Sequence, residues 1–196
     1  MEEIAMLVQL IDDYLQHRPK DERSKHCFHP SSLHKSPREL YYNYLEGDNN
    51  QEFDSRLYRI FDNGHDVHAR IQRYLKDIGI LKKAEISVEN AEYEIKGHAD
   101  GIIEIEGAEG VLEIKSMNAN QFYSCYEPKP EHLTQISAYM FCLNISQGCL
   151  LYECKDNQEL KEFYVKLDPN ILQPILKKIR YVQACLKEER EPNNNF

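Results

Sequence analysis

Apolar positions change their period several times along the chain, and each change marks an element. Ile4, Leu7, Val8, Ile11 and Leu15 recur at helical spacing, which predicts a helix over 2–16 packed on the core. A polar stretch from His17 to Lys25 follows. Ser31 or Ser32 is a candidate N-cap, and Pro37 starts or restarts a helix carrying Arg38, Tyr41 and Tyr42. Leu57, Ile60, Phe61, Val67, Ile71, Tyr74, Leu75 and Ile78 predict a long helix from about Phe53 to Ile78. The period then drops to two. Lys82–Glu89 alternates as a strand, and Tyr93–Ser116 reads as strand, strand, a tight turn over 107–110, and strand. A short helix over 118–126, a helix over 131–143, and an antiparallel strand pair (147–154 and 160–167) come next. A final helix starts at Asp168-Pro169, with Asp168 as N-cap. The expected fold is α/β, a mixed central sheet of roughly five strands flanked by helices. It forms one domain over 1–196: a helix and linker (1–25), a core (26–167), and a C-terminal helix and tail (168–196).

Composition narrows the function classes. The net charge is −9 and the pI about 5.4, which argues against a protein that coats nucleic acid indiscriminately. No apolar run approaches a membrane span, and the N-terminus lacks a basic-then-apolar signal pattern. The expected compartment is the cytoplasm, with no membrane partner and with the six cysteines as thiols. His26, Cys27, His29 and His34 lie close together in sequence but lack a standard zinc-finger spacing.

The chemistry concentrates between Asp100 and Lys115. Strand alternation puts Glu113 and Lys115 on one face and turns Ile114 to the other, into the core. Two carboxylates and an ammonium on one sheet face are costly to bury without a purpose. A divalent cation between the carboxylates removes their repulsion, and a lysine beside it can orient or deprotonate a water, as phosphodiester hydrolysis requires. The competing reading is a solvated hairpin of alternating charges. Elsewhere, Gly64 and His68 share a helix face one turn apart, and the glycine suggests a close approach there. Gln135 and Tyr139 likewise share a face. Arg38 beside Tyr41 and Tyr42 suits a phosphate and a stacked base, or else an inward-packing pair of tyrosines.

Taken in order, Ser36-Pro37-Arg38, Gly64-x-x-x-His68, Glu85, Gly97-x-x-Asp100, Glu113-x-Lys115 and Gln135-x-x-x-Tyr139 resemble the RecB-type exonuclease branch of the PD-(D/E)XK nuclease superfamily. The resemblance runs from about residue 30 to about 145 and implies a restriction-endonuclease-like core. It implies Mg²⁺ or Mn²⁺ held by His68, Asp100, Glu113 and the Ile114 carbonyl, with Glu85 a further acidic candidate. It implies that Lys115 positions or activates water and that Gln135 and Tyr139 line the site. Arg38, Tyr41 and Tyr42 would meet the DNA. Some branch members carry Cys-Pro-Arg and an iron–sulfur cluster; here Ser36 stands in place of that cysteine and the other cysteines are scattered, so no cluster is expected. No Gly-Lys-Ser/Thr phosphate loop occurs, so the chain carries no helicase motor of its own. The function expected is a metal-dependent DNA nuclease, an exonuclease processing DNA ends or single strands in recombination, repair or phage replication, alone or with a recombination or replication protein partner. The alternatives are a structure-selective endonuclease, a catalytically silent nucleic-acid-binding subunit, and an acidic DNA mimic.

Overall fold

The computed structural model describes residues 6–19, 24–47 and 53–193. In chain order they form α1 (Leu7–His17), a short 3-10 turn (Pro30–Ser32), α2 (Pro37–Glu46) and α3 (Ser55–Asp77). Three strands follow, β1 (Leu81–Asn90), β2 (Ile95–Ile105) and β3 (Ala108–Met117). Then come α4 (Ala119–Ser124), α5 (Pro130–Leu143), β4 (Gln147–Cys154), β5 (Leu160–Lys166) and α6 (Pro169–Lys187). The sheet order is β1-β2-β3-β4-β5. Every neighbouring pair is antiparallel except β3 and β4, which run parallel. A parallel pair needs a crossover, and α4 with α5 supplies it. The fold is the expected α/β one, with a mixed sheet of five strands flanked by helices.

Two local expectations need correction. Stretch 93–116 is a single hairpin rather than three strands. Its turn is the two-residue Glu106-Gly107, both with positive φ (+50° and +81°), the twist that right-handed strands favour in a tight hairpin. The N-cap of α2 is Ser36, not Ser31 or Ser32, which sit in or at the end of the 3-10 turn. Glu39 decides it: its backbone N–H donates to Ser36 Oγ (3.3 Å), while its carboxylate accepts from Ser36 N–H (3.0 Å).

The sheet is covered on both faces. On one, Val88, Ala99, Ile102, Val111, Leu150 and Tyr152 pack against Ile136, Tyr139 and Met140 of α5. On the other, Ile103, Leu112, Ile114 and Leu151 pack under Val67 and Ile71 of α3. A third cluster joins α2, α6 and the segment before α2, through Phe28, Leu33, Leu40, Tyr41, Ile175 and Ile179. Helix α1 lies on α3 rather than in the core. Of its described residues only Leu15 is buried, while Leu7, Val8, Leu10, Ile11 and Tyr14 are exposed. Ile4, expected on the same helix, lies outside the described residues. All six cysteines are free. Among the described residues no helix is long and apolar enough to cross a membrane.

Helix α3 is fixed along both flanks. On one side Arg70 Nη2 donates to both oxygens of Glu153 on β4 (2.7 and 2.9 Å). On the other, Gln72 Nε2 donates to the Asp100 carbonyl (2.8 Å) and to Glu85 Oε1 (2.6 Å). His68 lies one turn before Gln72, so its place over β2 follows from these contacts.

Candidate active site

The site forms where the β2–β3 ladder opens. Register pairing runs from Ile105↔Ala108 to Gly101↔Leu112 and stops there. The next opposed residues are Asp100 and Glu113. In place of a ladder bond, the Ile114 N–H donates to Asp100 Oδ2 at 2.6 Å. Asp100 Oδ1 meets His68 Nδ1 at 3.1 Å. Both oxygens of Asp100 are thereby engaged, and its carbonyl is held by Gln72.

Glu113 is in a different state. It is 1% exposed, and neither carboxylate oxygen has a hydrogen-bond partner. Lys115 Nζ lies 2.8 Å from Oε1 as an ion pair, outside hydrogen-bond alignment. Burial, then the negative charge of Asp100, pushes the Glu113 carboxyl above the usual carboxylate range, and Lys115 pulls against this. Burial disfavours a charged His68, but the Asp100 hydrogen bond and the Asp100 and Glu113 charges outweigh it, so His68 protonates more readily than an ordinary imidazole.

This state bears on whether a divalent cation fits. Among the described residues no three His, Cys, Asp or Glu side chains form a group that could hold a metal by themselves. What favours a cation is the buried Glu113 carboxylate, met only by Lys115 at Oε1, near a second carboxylate. Hard oxygen donors of this kind match Mg²⁺ or Mn²⁺, and the Ile114 carbonyl and His68 would complete the set.

Helix α5 covers this face of the sheet. Gln135 Nε2 donates to Tyr139 Oη at 3.4 Å, and both residues are buried. Gly97 explains how they come so near. A Cβ there would sit 2.9 Å from Pro30 Cδ and 3.4 Å from the Tyr139 ring, so only glycine lets the 3-10 turn and α5 approach β2 this closely. A groove of about 530 Å³ lies between the 3-10 turn, α5 and α6, lined by His34, Glu131, Thr134 and Lys178 among others, and none of the carboxylates just described reaches it.

No protein-family model matches the chain, and no curated protein matches it in sequence. Solved structures do match. The alkaline exonuclease LHK-Exo of Laribacter hongkongensis superposes with a TM-score of 0.62 at 20% identity, covering 84% of this chain and 89% of that one. The same enzyme in complex with dAMP gives 0.63. A phage-related exonuclease of Haemophilus somnus 129PT gives 0.60 at 15% identity, covering 85% and 97% of the two chains. SSO0001 gives 0.61 at 17% identity, covering 98% and 90%. The chain shares the fold of these solved structures.

Within this fold the other expected residues distribute unevenly. Glu85 is exposed on β1 at a positive φ of +49° and is tied to Asp100 through Gln72. Gly64 is not a close-approach point: a Cβ there would meet nothing within 4 Å. Tyr41 is not available to a substrate, because it is buried between α2 and α6. Arg38 stays exposed and Tyr42 is half-buried, and both turn to the C-terminal segment. Arg38 Nη2 pairs with Glu191 Oε2 at 2.7 Å, and Tyr42 Oη donates to the same carboxylate. Sequence reading missed Gln72, although it stands one turn after His68. It also missed His132, which stands one turn before Gln135.

Proposed function

We propose that the protein is a metal-dependent DNA nuclease, an exonuclease that processes DNA ends in recombination, repair or phage replication. The observation that carries this reading is the buried Glu113 carboxylate, paired only with Lys115 at Oε1, where Asp100 anchors the opened ladder. DNA as substrate is supported by the deoxynucleotide bound in one structure of LHK-Exo.

Asp100, Glu113, the Ile114 carbonyl and His68 would hold Mg²⁺ or Mn²⁺. The cation would supply Lewis-acid polarisation of a phosphoryl oxygen and neutralise developing charge. The side chains do the rest. His68 and the Ile114 N–H fix the Asp100 carboxylate, so little reorganisation is needed when substrate arrives. Lys115 orients the attacking water and eases its deprotonation. Gln135 and Tyr139 steady the phosphate. The water oxygen forms a bond to phosphorus while the bond to the leaving nucleotide oxygen breaks on the opposite side.

The test uses linear and closed-circular DNA, single- and double-stranded, with Mg²⁺, Mn²⁺ or EDTA, and the wild type beside Lys115→Ala. Cation-dependent loss of linear DNA alone, abolished in the variant, is the expected result. Nicking of circles makes the enzyme an endonuclease. Cleavage of nothing, or cleavage unaffected by the substitution, overturns the catalytic assignment.

A further inference from the structure

His132 stands three residues before Gln135 and seven before Tyr139, so the three share one face of α5. Its ring is tied to a residue that the nuclease reading does not use. Tyr152 of β4 is fully buried and is the register partner of Lys115 on β3. Partners in a parallel pair point to the same face, so Tyr152 and Lys115 lie side by side beneath α5. Tyr152 Oη accepts the backbone N–H of Lys129 at 3.1 Å and lies 3.0 Å from His132 Nδ1.

This arrangement fixes a proton. Among the described residues the Tyr152 hydroxyl has no acceptor other than His132 Nδ1, and a buried O–H without an acceptor is costly. The hydroxyl therefore donates to Nδ1. A ring nitrogen that accepts carries no proton, so the neutral imidazole must carry its proton on Nε2. Nε2 makes no hydrogen bond among the described residues. The ring's electrostatic surroundings favour neutrality: burial first, then the positive charge of Lys115, lower its pKa to about 4, with Lys129 and His34 acting in the same direction and Glu131 opposing.

We propose that His132 is a neutral Nε2–H donor to a phosphate oxygen of the nucleic-acid strand, and that Tyr152 is the positioning residue that fixes its tautomer. The proposal deepens the nuclease reading and rests on it for the ligand class. A neutral donor differs from a lysine in a measurable way. It adds affinity without releasing a counterion, so its loss weakens binding at every salt concentration and leaves the salt slope unchanged.

The test is fluorescence anisotropy of a labelled single-stranded oligodeoxynucleotide in EDTA, where cleavage plays no part, over a series of salt concentrations. His132→Leu is expected to weaken binding about tenfold, the scale of one hydrogen bond to a charged group, with an unchanged slope of log K against log salt. His132→Gln places an amide N–H where Nε2–H stood and should stay within about threefold of wild type by the same reasoning. Nitrogen-detected NMR of wild type should show the Nε2-protonated neutral form, and Tyr152→Phe should lose that fixed pattern. Thermal melting of each variant separates misfolding from a lost contact. Unchanged binding in folded His132→Leu, a slope smaller by about 1 as a lost cation would give, or a proton on Nδ1 in wild type overturns the proposal. A failure of the nuclease reading is seen separately, as absence of cleavage by wild type in Mg²⁺ or Mn²⁺ while binding and tautomer still report on His132.

Discussion

Replacing Glu113 with glutamine should stabilise the metal-free protein while abolishing cleavage. The carboxylate is 1% exposed and receives no hydrogen bond, and a buried unsatisfied polar group costs about 1–3 kcal/mol, more when charged. Lys115 at 2.8 Å offsets part of that. Glutamine keeps the shape, removes the charge and ends the repulsion with Asp100. The expected gain in EDTA at pH 8 is about 1–2 kcal/mol, or a melting point higher by roughly 2–8 °C for a chain of this size. The sign with pH follows from linkage. Glu113 titrates in the folded state above its ordinary 4.5, at about 7, so the folded protein binds this proton more tightly than the unfolded chain does. Its contribution to stability is greatest at and below pH 4.5, declines as pH rises through that window, and is level above it. His68, raised from 6.5, adds in the same direction: its contribution is present below 6.5 and lost as pH climbs through the folded value. Other carboxylates, such as Glu39 and Glu104, are lowered and act oppositely, so the difference between wild type and variant is the informative quantity. Urea unfolding in EDTA at pH 5, 6, 7 and 8 measures it. The gap in favour of Glu113→Gln should be small at pH 5 and widen to pH 8. Added Mg²⁺ or Mn²⁺ should then stabilise wild type, by about 2.7 kcal/mol at a hundred times its dissociation constant, and leave the variant nearly unmoved. A variant less stable than wild type at pH 8, or a gap that does not change with pH, refutes the reasoning.

Four further substitutions probe the site and its supports. Lys115→Ala should keep the circular-dichroism spectrum of wild type and lose about 10²–10⁴ in cleavage rate, the scale of a proton-transfer group. Arg70→Ala leaves Glu153 buried and uncompensated; because Arg70 is itself partly exposed, the loss in urea unfolding should be about 2–4 kcal/mol, and a loss under about 1 kcal/mol would mean that the pair does not hold α3. Gly97→Ala drives a methyl into Pro30 and the Tyr139 ring and should cost about 1–3 kcal/mol, with cleavage falling further than stability because Tyr139 moves. Gly64→Ala, by contrast, meets nothing and sits mid-helix, so it should raise stability by up to about 1 kcal/mol with cleavage unchanged.

The parts legible in the sequence are those that repeat with a local period. A period of two over 82–89 and 111–117 placed Glu113 opposite in facing to Ile114, and the structure has Ile114 under α3 with Glu113 on the α5 side. A period of 3.6 placed Gln135 beside Tyr139 and set the length of α3 to within about two residues at its start. What escaped depends on register or on distant partners. Nothing in the order Gly-x-x-Asp says that the ladder ends at Gly101, yet that ending is why the Ile114 N–H turns to Asp100 while Glu113 is left with Lys115 alone. Tyr41 and Tyr42 are adjacent and alike in sequence, but the docking of α6 buries the first and leaves the second half-buried, with its hydroxyl turned to Glu191. Gly64 looked like a contact point because glycine is costly in a helix, whereas the close approach belongs to Gly97.

These long-range features form one arrangement. An opened ladder between β2 and β3 exposes backbone groups that a sheet normally satisfies, so something must replace the lost partners. Asp100 replaces them on the β3 side through Ile114, and Gln72 replaces them on the β2 side through the Asp100 carbonyl. Gln72 can do so only if α3 holds its position across the sheet, which Arg70 secures at Glu153 on β4. The carboxylate left only partly compensated is Glu113, which Lys115 meets at Oε1 alone, and its burial is the strain that a bound cation would relieve. The arrangement therefore predicts an order of sensitivity. Loss of Gln72 (Gln72→Leu) should disturb Asp100 without uncovering a buried charge, so it should lower cation affinity, read by titration calorimetry, by more than it lowers stability in EDTA. Loss of Arg70 should do the reverse. Equal effects of the two substitutions on both quantities would mean that the flanks of α3 act as one unit and that Gln72 has no separate role at the site.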